Sequence, residues 1–453
     1  MMERIYQYID NNSQRFISEL FTFLKQPSIS SQRIGVEECA GLLAGMMKEA
    51  GIRCEILPMG GRNNPPMVYG EISSPGAKKT VLIYGHFDVQ PPEPLEAWDS
   101  PPFEPVIRDG RIYARGSADN KGQLFAHIKA VEAIMKTTKD LPVNLKFLCD
   151  PEEEIGSPSL DDFIRANSHR FSADVAYNSD GAMDSSGRPI LSFGNRGNCH
   201  VEINHQEANR DLHSGQFGGP VPNPNWHMID FLSTLRDSNG RVAIEGFYDD
   251  IVPPTAAEKD VMAKIPFDEE KTRRFLGLKQ FAGPKDMGYW EKIMFQPTLE
   301  ICGYTSGYGG EGTKTVLPCK TNVKISMRLV KNQTSSDILQ KFKQHMEKHG
   351  FGDLEVTFRY GYNPSKTPID HPMSKAVVAG VKKAFQSDPI LYPVTGGSNP
   401  SSIITDFLGI PIIKVPYGSH DECNHAPNEN LVIDLFIKGI KCSATVFYEL
   451  SKI

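Results

Sequence analysis

At 453 residues the chain exceeds what one hydrophobic core ordinarily supports, so two domains are expected. Its 39% hydrophobic, 23% charged and 9% aromatic residues describe a globular protein and exclude a disordered or fibrous one. A formal net charge of -6 argues against broad binding to nucleic acid or to an anionic membrane surface.

No secretory signal is expected from the first residues. Met1-Met2-Glu3-Arg4 runs into Ile5, Tyr8, Ile9, Phe16, Leu20 and Leu24, an amphipathic helical spacing broken by acids and amides. Residues 80–84 form a short continuous apolar run, as expected of a strand covered on both faces. A helix follows Lys121-Gly122, with Leu124, Ile128, Val131 and Met135 on one face. Residues 143–148 and 174–178 read as further strands. Alternation of strand and helix implies a mixed, mostly parallel α/β sheet, whose ligands lie beyond the carboxyl ends of its strands.

After about Gly194 the rhythm changes. Val201 and Ile203, and more clearly Val323, Ile325, Met327 and Leu329, alternate with polar residues, the mark of antiparallel strands with one wet face. A helix bearing Leu339, Phe342 and Met346 follows, then a loop over 363–372. A helix (Val377, Val381, Phe385), a buried strand at 410–415 and a last helix at 433–450 complete the chain. The expected architecture is one α/β domain, residues 1–195 and 366–453, interrupted by an α+β insertion at 196–365. No apolar run approaches the ~20 residues of a membrane span. The eight cysteines are scattered without a CxxC pair, so reduced, mostly buried thiols and a cytoplasmic location are expected.

Five short stretches carry candidate chemistry. His86 and Asp88 sit two apart at a strand end, on one side, where the carboxylate can hold the second nitrogen of a metal-binding imidazole. Asp119 stands just before a helix between Gly116 and Gly122, as either an N-cap or a ligand. Glu152, Glu153 and Glu154 follow a buried strand and end at a glycine turn, where like charges repel unless a cation compensates them. One acid there can be a ligand and a neighbour a general base. Asp180 is another acid at a strand end, and His420 and His425 follow the last buried strand. All five stretches fall at expected strand tips of one sheet. Two histidines and three carboxylates suit a pair of divalent ions sharing one bridging acid, and zinc, manganese and cobalt all accept such ligands.

The runs Gly-His-Phe-Asp-Val-Gln-Pro (85–91), Arg-Gly-Ser-Ala-Asp-Asn-Lys-Gly (115–122), Glu-Glu-Glu-Ile-Gly-Ser (152–157), Asp-Leu-His-Ser-Gly (211–215) and His-Ala-Pro-Asn-Glu (425–429) resemble those of the M20 metallopeptidases, and among them the carnosinase-type cytosolic nonspecific dipeptidases. The likeness spans nearly the whole chain in the same order. It implies a catalytic α/β domain with an inserted lid and dimerisation domain, acting on small peptides. It implies further that Asp119 bridges two ions, Zn2+ or Mn2+ with Co2+ as a third choice, one held also by His86 and Asp180, the other by Glu154 and His425. Asp88 would orient His86, and Glu153 would be the base, with Glu152 next in line. His213 would cross from the partner subunit of a homodimer to stabilise the oxyanion. Thr315, Arg328 and Ser398 would hold the substrate carboxylate or backbone. Asn120 departs from the family pattern, in which an acid or a hydrophobic residue follows the bridging acid; the resemblance implies a cis peptide bond there.

Arg328 has support of its own, because a guanidinium on the polar face of its strand can grip a carboxylate in bidentate fashion, although an exposed arginine on a wet sheet face reads as well. Only the likeness of His-Ala-Pro-Asn-Glu chooses His425 over His420. Gly307 to Gly312 fits GxGxxG but is expected to precede a strand without opening a helix, which makes it a flexible loop near the substrate rather than a dinucleotide site. His127 is expected to pack in the core. Two other activities fit the same site, deacylation of N-acyl amino acids and trimming of longer peptides from the carboxyl end. An inactive binding module of the same fold is the reading from another class.

Overall fold

The strand Thr80–His86 lies in the middle of an eight-stranded sheet. The computed structural model that shows it describes residues 1–61, 64–284 and 286–453. On one side of Thr80–His86 come Asn144–Asp150, Met67–Ile72 and Arg53–Leu57; on the other come Val175–Asn178, Ile412–Lys414, Ile190–Ser192 and Ile390–Tyr392. The central pairings are parallel, and the antiparallel ones lie where Met67–Ile72 meets its neighbours and at Lys414–Ser192. The chain leaves Thr80–His86 for Asn144–Asp150 on one side and returns with Val175–Asn178 on the other. Such a reversal of strand order opens a crevice at the carboxyl ends.

The apolar run at 80–84 is continuous because both faces are covered. Val81 and Ile83 enter a core shared with helices Lys121–Thr138, Pro372–Phe385 and Ile433–Leu450, whereas Leu82 and Tyr84 enter a second core against helix Leu160–Ala166. The expected apolar stripe on Lys121–Thr138 widens to the whole helix, buried from Lys121 through Ile134. The N-terminal stretch is two helices, Met2–Asn11 and Ser13–Lys25. At Asn12 the backbone leaves helical geometry (φ -107°, ψ 7°) and the side-chain amide donates to the Tyr8 carbonyl, the local competition that asparagine offers a helix.

Residues 197–362 add no strand to this sheet. They form a four-stranded antiparallel sheet in the order Thr298–Ser306, Lys320–Leu329, Gly197–Gln206, Glu355–Tyr362. Cys199, Val201, Ile203, Val323, Ile325 and Met327 face helices Pro224–Thr234 and Ser335–Lys348 in a separate core. The two connections between the sheets pair with each other, Gly194–Asn195 against Ser365–Lys366.

Two expectations need correction. The cysteines are all free, but only Cys39, Cys149, Cys199 and Cys442 are buried; Cys302 and Cys423 are exposed, one on an edge strand and one in a surface loop. The stretch Gly307 to Gly312 follows the strand Thr298–Ser306 as well as preceding Val316–Leu317, where it was expected only to precede a strand; it opens no helix, as expected. Among the described residues, no helix is long and apolar enough to cross a membrane.

Candidate metal centre

His86 ends the central strand and is 1% exposed. Its Nδ1 lies 3.3 Å from Asp88 Oδ1, and its Nε2 lies 3.1 Å from Asp119 Oδ1. The other oxygen of Asp119 faces His425 Nε2 at 3.1 Å, and that same nitrogen lies 3.1 Å from Glu154 Oε2. The side chains therefore form two groups, His86 with Asp119 and Asp180, and Asp119 with Glu154 and His425, each with its ligand atoms within 4.8 Å of one another. Asp119 belongs to both and turns one oxygen to each.

Asp119 is not the cap of its helix; Asn120 takes that position, without a side-chain bond to the helix. Nor does Asp119 lie at a tip of the large sheet, as expected. It comes from the loop after Arg111–Tyr113, a strand of a separate three-stranded sheet, and that loop meets the carboxyl end of the central strand where Asn120 accepts the His86 N–H at 3.4 Å. Gly116 (φ +83°) turns that loop, and Gly122 passes so close to the Ser117 carbonyl that a Cβ would stand 2.0 Å from its oxygen. The Asp119–Asn120 peptide bond is cis, as the resemblance implied. Asn120 donates to the Ser179 carbonyl at 2.6 Å, tying this loop to the one that carries Asp180.

The acidic run divides its work. Asp88 accepts the backbone N–H groups of Glu153 and Glu154 at 3.1 and 3.0 Å, so one carboxylate steadies His86 and the acidic turn together. Glu152 turns away and accepts the Ser159 N–H at 3.2 Å. Glu153 turns inward, its Oε2 4.0 Å from His86 Nε2. His420 is exposed, its Nδ1 3.9 Å from Asp421 Oδ1, whereas His425 reaches the centre from a left-handed backbone conformation (φ 55°).

Charge accumulates at the centre beyond what its cations compensate. Burial, reinforced by Asp180, Asp119 and Glu154, pushes the Glu153 carboxyl up to about 8. Burial and the nearby Asp119 likewise push Glu422 up to about 9. Hydrogen bonds to Asp119 and Glu154 raise His425 to about 10. Among the described residues, the buried His86 Nε2 and Glu422 Oε2 have no hydrogen-bond partner. A buried imidazole nitrogen without a partner, aimed at a carboxylate, is where an ion fits, and this donor set suits borderline divalent ions.

Residues outside the expected set hold the centre in shape. Glu429 accepts the N–H groups of Gly116, Ala118 and Asp119 and pairs with Arg115 at 2.8 Å. Lys414 lies 2.9 Å from Asp180. Gln90 donates to the Glu154 carboxylate at 3.0 Å. Glu429 and Arg115 lie inside motifs already singled out, so position in a motif was their signal; Lys414, a lone cation ending a buried strand, offered a weaker one.

A cavity of about 1030 Å³ opens over the centre, with Glu153, Glu154 and His425 on one wall and Arg328 and Ser398 on another. Arg328 Nη1 donates to Ser398 Oγ at 2.7 Å. His213 and Thr315 do not line it. They sit side by side on a short ribbon, where the Ser214 N–H donates to the Thr315 carbonyl and the exposed His213 ring accepts from the Gly215 N–H.

Residues 82–449 match the family model of Peptidase family M20/M25/M40, and the chain belongs to that family of enzymes. Two relatives are similar along nearly their whole length. Beta-Ala-His dipeptidase of Rattus norvegicus is 30% identical over 100% of this chain and 96% of its own. Cys-Gly metallodipeptidase dug1 of Schizosaccharomyces pombe is 31% identical over 100% of this chain and 99% of its own. The solved structure of the M20 family metallo-carboxypeptidase Sso-CP2 from Sulfolobus solfataricus superposes with a TM-score of 0.88 at 34% identity, covering 97% of this chain and 99% of that one.

Proposed function

We propose that this enzyme hydrolyses the amide bond of dipeptides or short peptides that end in a free carboxylate. The observation that carries the reading is the position of Asp119 between two ligand groups, below a cavity whose far wall bears a guanidinium. His86, Asp119 and Asp180 would hold one divalent ion, and Asp119, Glu154 and His425 the other, with zinc or manganese preferred and cobalt accepted. Bound there, the ions supply Lewis acidity, acidifying water and polarising the amide carbonyl. Glu153, facing the same point, accepts the proton of the attacking water and later delivers it to the leaving amine. Arg328, oriented by Ser398, takes the substrate carboxylate.

Residues 1–195 and 366–453 form the catalytic domain in this reading, and 196–365 the lid through which two copies pair. The exposure of His213 and Thr315, away from their own chain's centre, supports their acting in the partner's site. The free cysteines support a reducing compartment and hence the cytoplasm.

The likeness to a metallo-carboxypeptidase favours a second reading, removal of carboxyl-terminal residues from longer peptides. Dipeptides, tripeptides and N-acetylated amino acids assayed side by side with added Zn2+ or Mn2+ separate the activities. Fastest turnover on dipeptides is expected; a preference for the tripeptide moves the assignment to carboxypeptidase, and a preference for the acetylated amino acid moves it to deacylase.

A further inference from the structure

A second cluster of ligand-type side chains lies within the four-stranded unit, apart from the centre above. His205 on the strand Gly197–Gln206, His227 on the helix Pro224–Thr234 and Asp353 in the turn after Ser335–Lys348 each bring one ligand atom within 4.8 Å of the others. Asp353 Oδ2 lies 2.9 Å from His227 Nε2 and 3.8 Å from His205 Nδ1. Two ligands of a tetrahedral ion, each ~2.1 Å from it, stand ~3.4 Å apart, and the two separations bracket that value.

The other nitrogen of His205 is also accounted for. Its Nε2 faces Glu207 Oε1 at 3.0 Å. A carboxylate on the nitrogen that does not bind the ion is how proteins orient a metal-ligating imidazole and choose its tautomer. Among the described residues, no lysine or arginine forms an ion pair with Asp353 or Glu207, whose ion-pair partners are His205 and His227. The side chain of His205 is 9% exposed, that of His227 28% and that of Asp353 54%, which leaves an open position for water and a path of entry.

We propose that His205, His227 and Asp353 form an additional site for a divalent cation of the zinc class, with Glu207 orienting His205. The bound ion would tie together a strand, a helix and a turn, of which the helix and the turn already meet through the His227–Asp353 contact. The site makes no use of the catalytic centre.

Zinc counting tests it. The whole chain and its His227→Ala and Asp353→Ala variants are stripped with a chelator, re-equilibrated with Zn2+ alone and counted for bound zinc after gel filtration. The expected result is one ion fewer per chain in each variant, with peptide hydrolysis unaltered. Because the count is a difference between parent and variant, ions at the catalytic centre cancel, and the result stands whether or not the proposed activity does. Asp353 lies in an exposed turn, so its variant folds and decides the matter: equal zinc in the parent and Asp353→Ala overturns the proposal and leaves a histidine–aspartate ion pair.

Discussion

Glu429 accepts the Asp119 N–H at 3.0 Å across a sequence separation of 310 residues. The same carboxylate pairs with Arg115, and the two side chains are 0% and 1% exposed. The acid shared by both ligand groups is thus positioned by a buried ion pair behind it.

Removing Glu429 leaves the Arg115 charge buried without a partner, a change that typically costs about 3–5 kcal/mol. Glu429→Ala is expected to lower the stability of the ion-free chain by that order and to lose bound metal. Denaturant unfolding and metal analysis measure the two effects. A variant of parental stability that keeps its ions would show that Glu429 does not position Asp119.

Glu153→Ala is expected to reduce kcat by about 10²–10⁴-fold while metal content stays near the parent's. Glu152→Ala, by contrast, removes an acceptor for the Ser159 N–H and leaves the inward-facing acid in place, so most turnover persists. Steady-state kinetics beside metal analysis distinguish them. If the two variants exchange behaviours, the base is Glu152.

Arg328→Ala removes a charged hydrogen-bond donor of the kind that contributes about 1.5–3 kcal/mol, so kcat/KM on dipeptides should fall roughly 10- to 100-fold. Substrates amidated at the carboxyl end should not register the change. Equal losses on free and amidated substrates would mean that Arg328 acts through the fold rather than on a carboxylate.

His127 packs against the rings of Tyr177 and Tyr417 and shares a hydrogen bond with Ser443 at 2.9 Å. Burial pulls its pKa down to about 3 from an ordinary value of 6.5. Between those values the unfolded chain binds a proton that the folded chain refuses, so stability falls as pH falls through the window. The slope from this one group approaches about 1.4 kcal/mol per pH unit. Urea midpoints from pH 7 to pH 4 should fall less steeply in His127→Gln than in the parent, and parallel curves would place the acid sensitivity elsewhere.

Much of the fold was legible in the sequence because strand burial is a local signal. The run at 80–84 had to be covered on both faces, and the alternation over 323–329 had to be covered on one, and both are. Ligand types were legible for a similar reason: a histidine two residues from an aspartate is by itself more often structural, and its place at a buried strand tip is what pointed to a ligand.

Which members of a run face the centre was not legible. Glu152, Glu153 and Glu154 are chemically alike, and their directions follow from Ser159 and Asp88, which only the folded chain brings to them. Nor does spacing show that Asp119 arrives from a loop outside the large sheet, since that depends on contacts of Asn120 with His86 and Ser179 that only the folded chain makes.

The feature on which the proposed chemistry rests divides in the same way. The sequence by itself determined the class of fold, the family motifs and the set of residue types able to hold divalent ions, because these depend on short-range pattern. Only the tertiary structure decided that Asp119 turns one oxygen to His86 and the other to His425, that Glu429 holds it there, and that His213 and Thr315 lie elsewhere on their own chain. Those relations join residues hundreds of positions apart, and packing sets them.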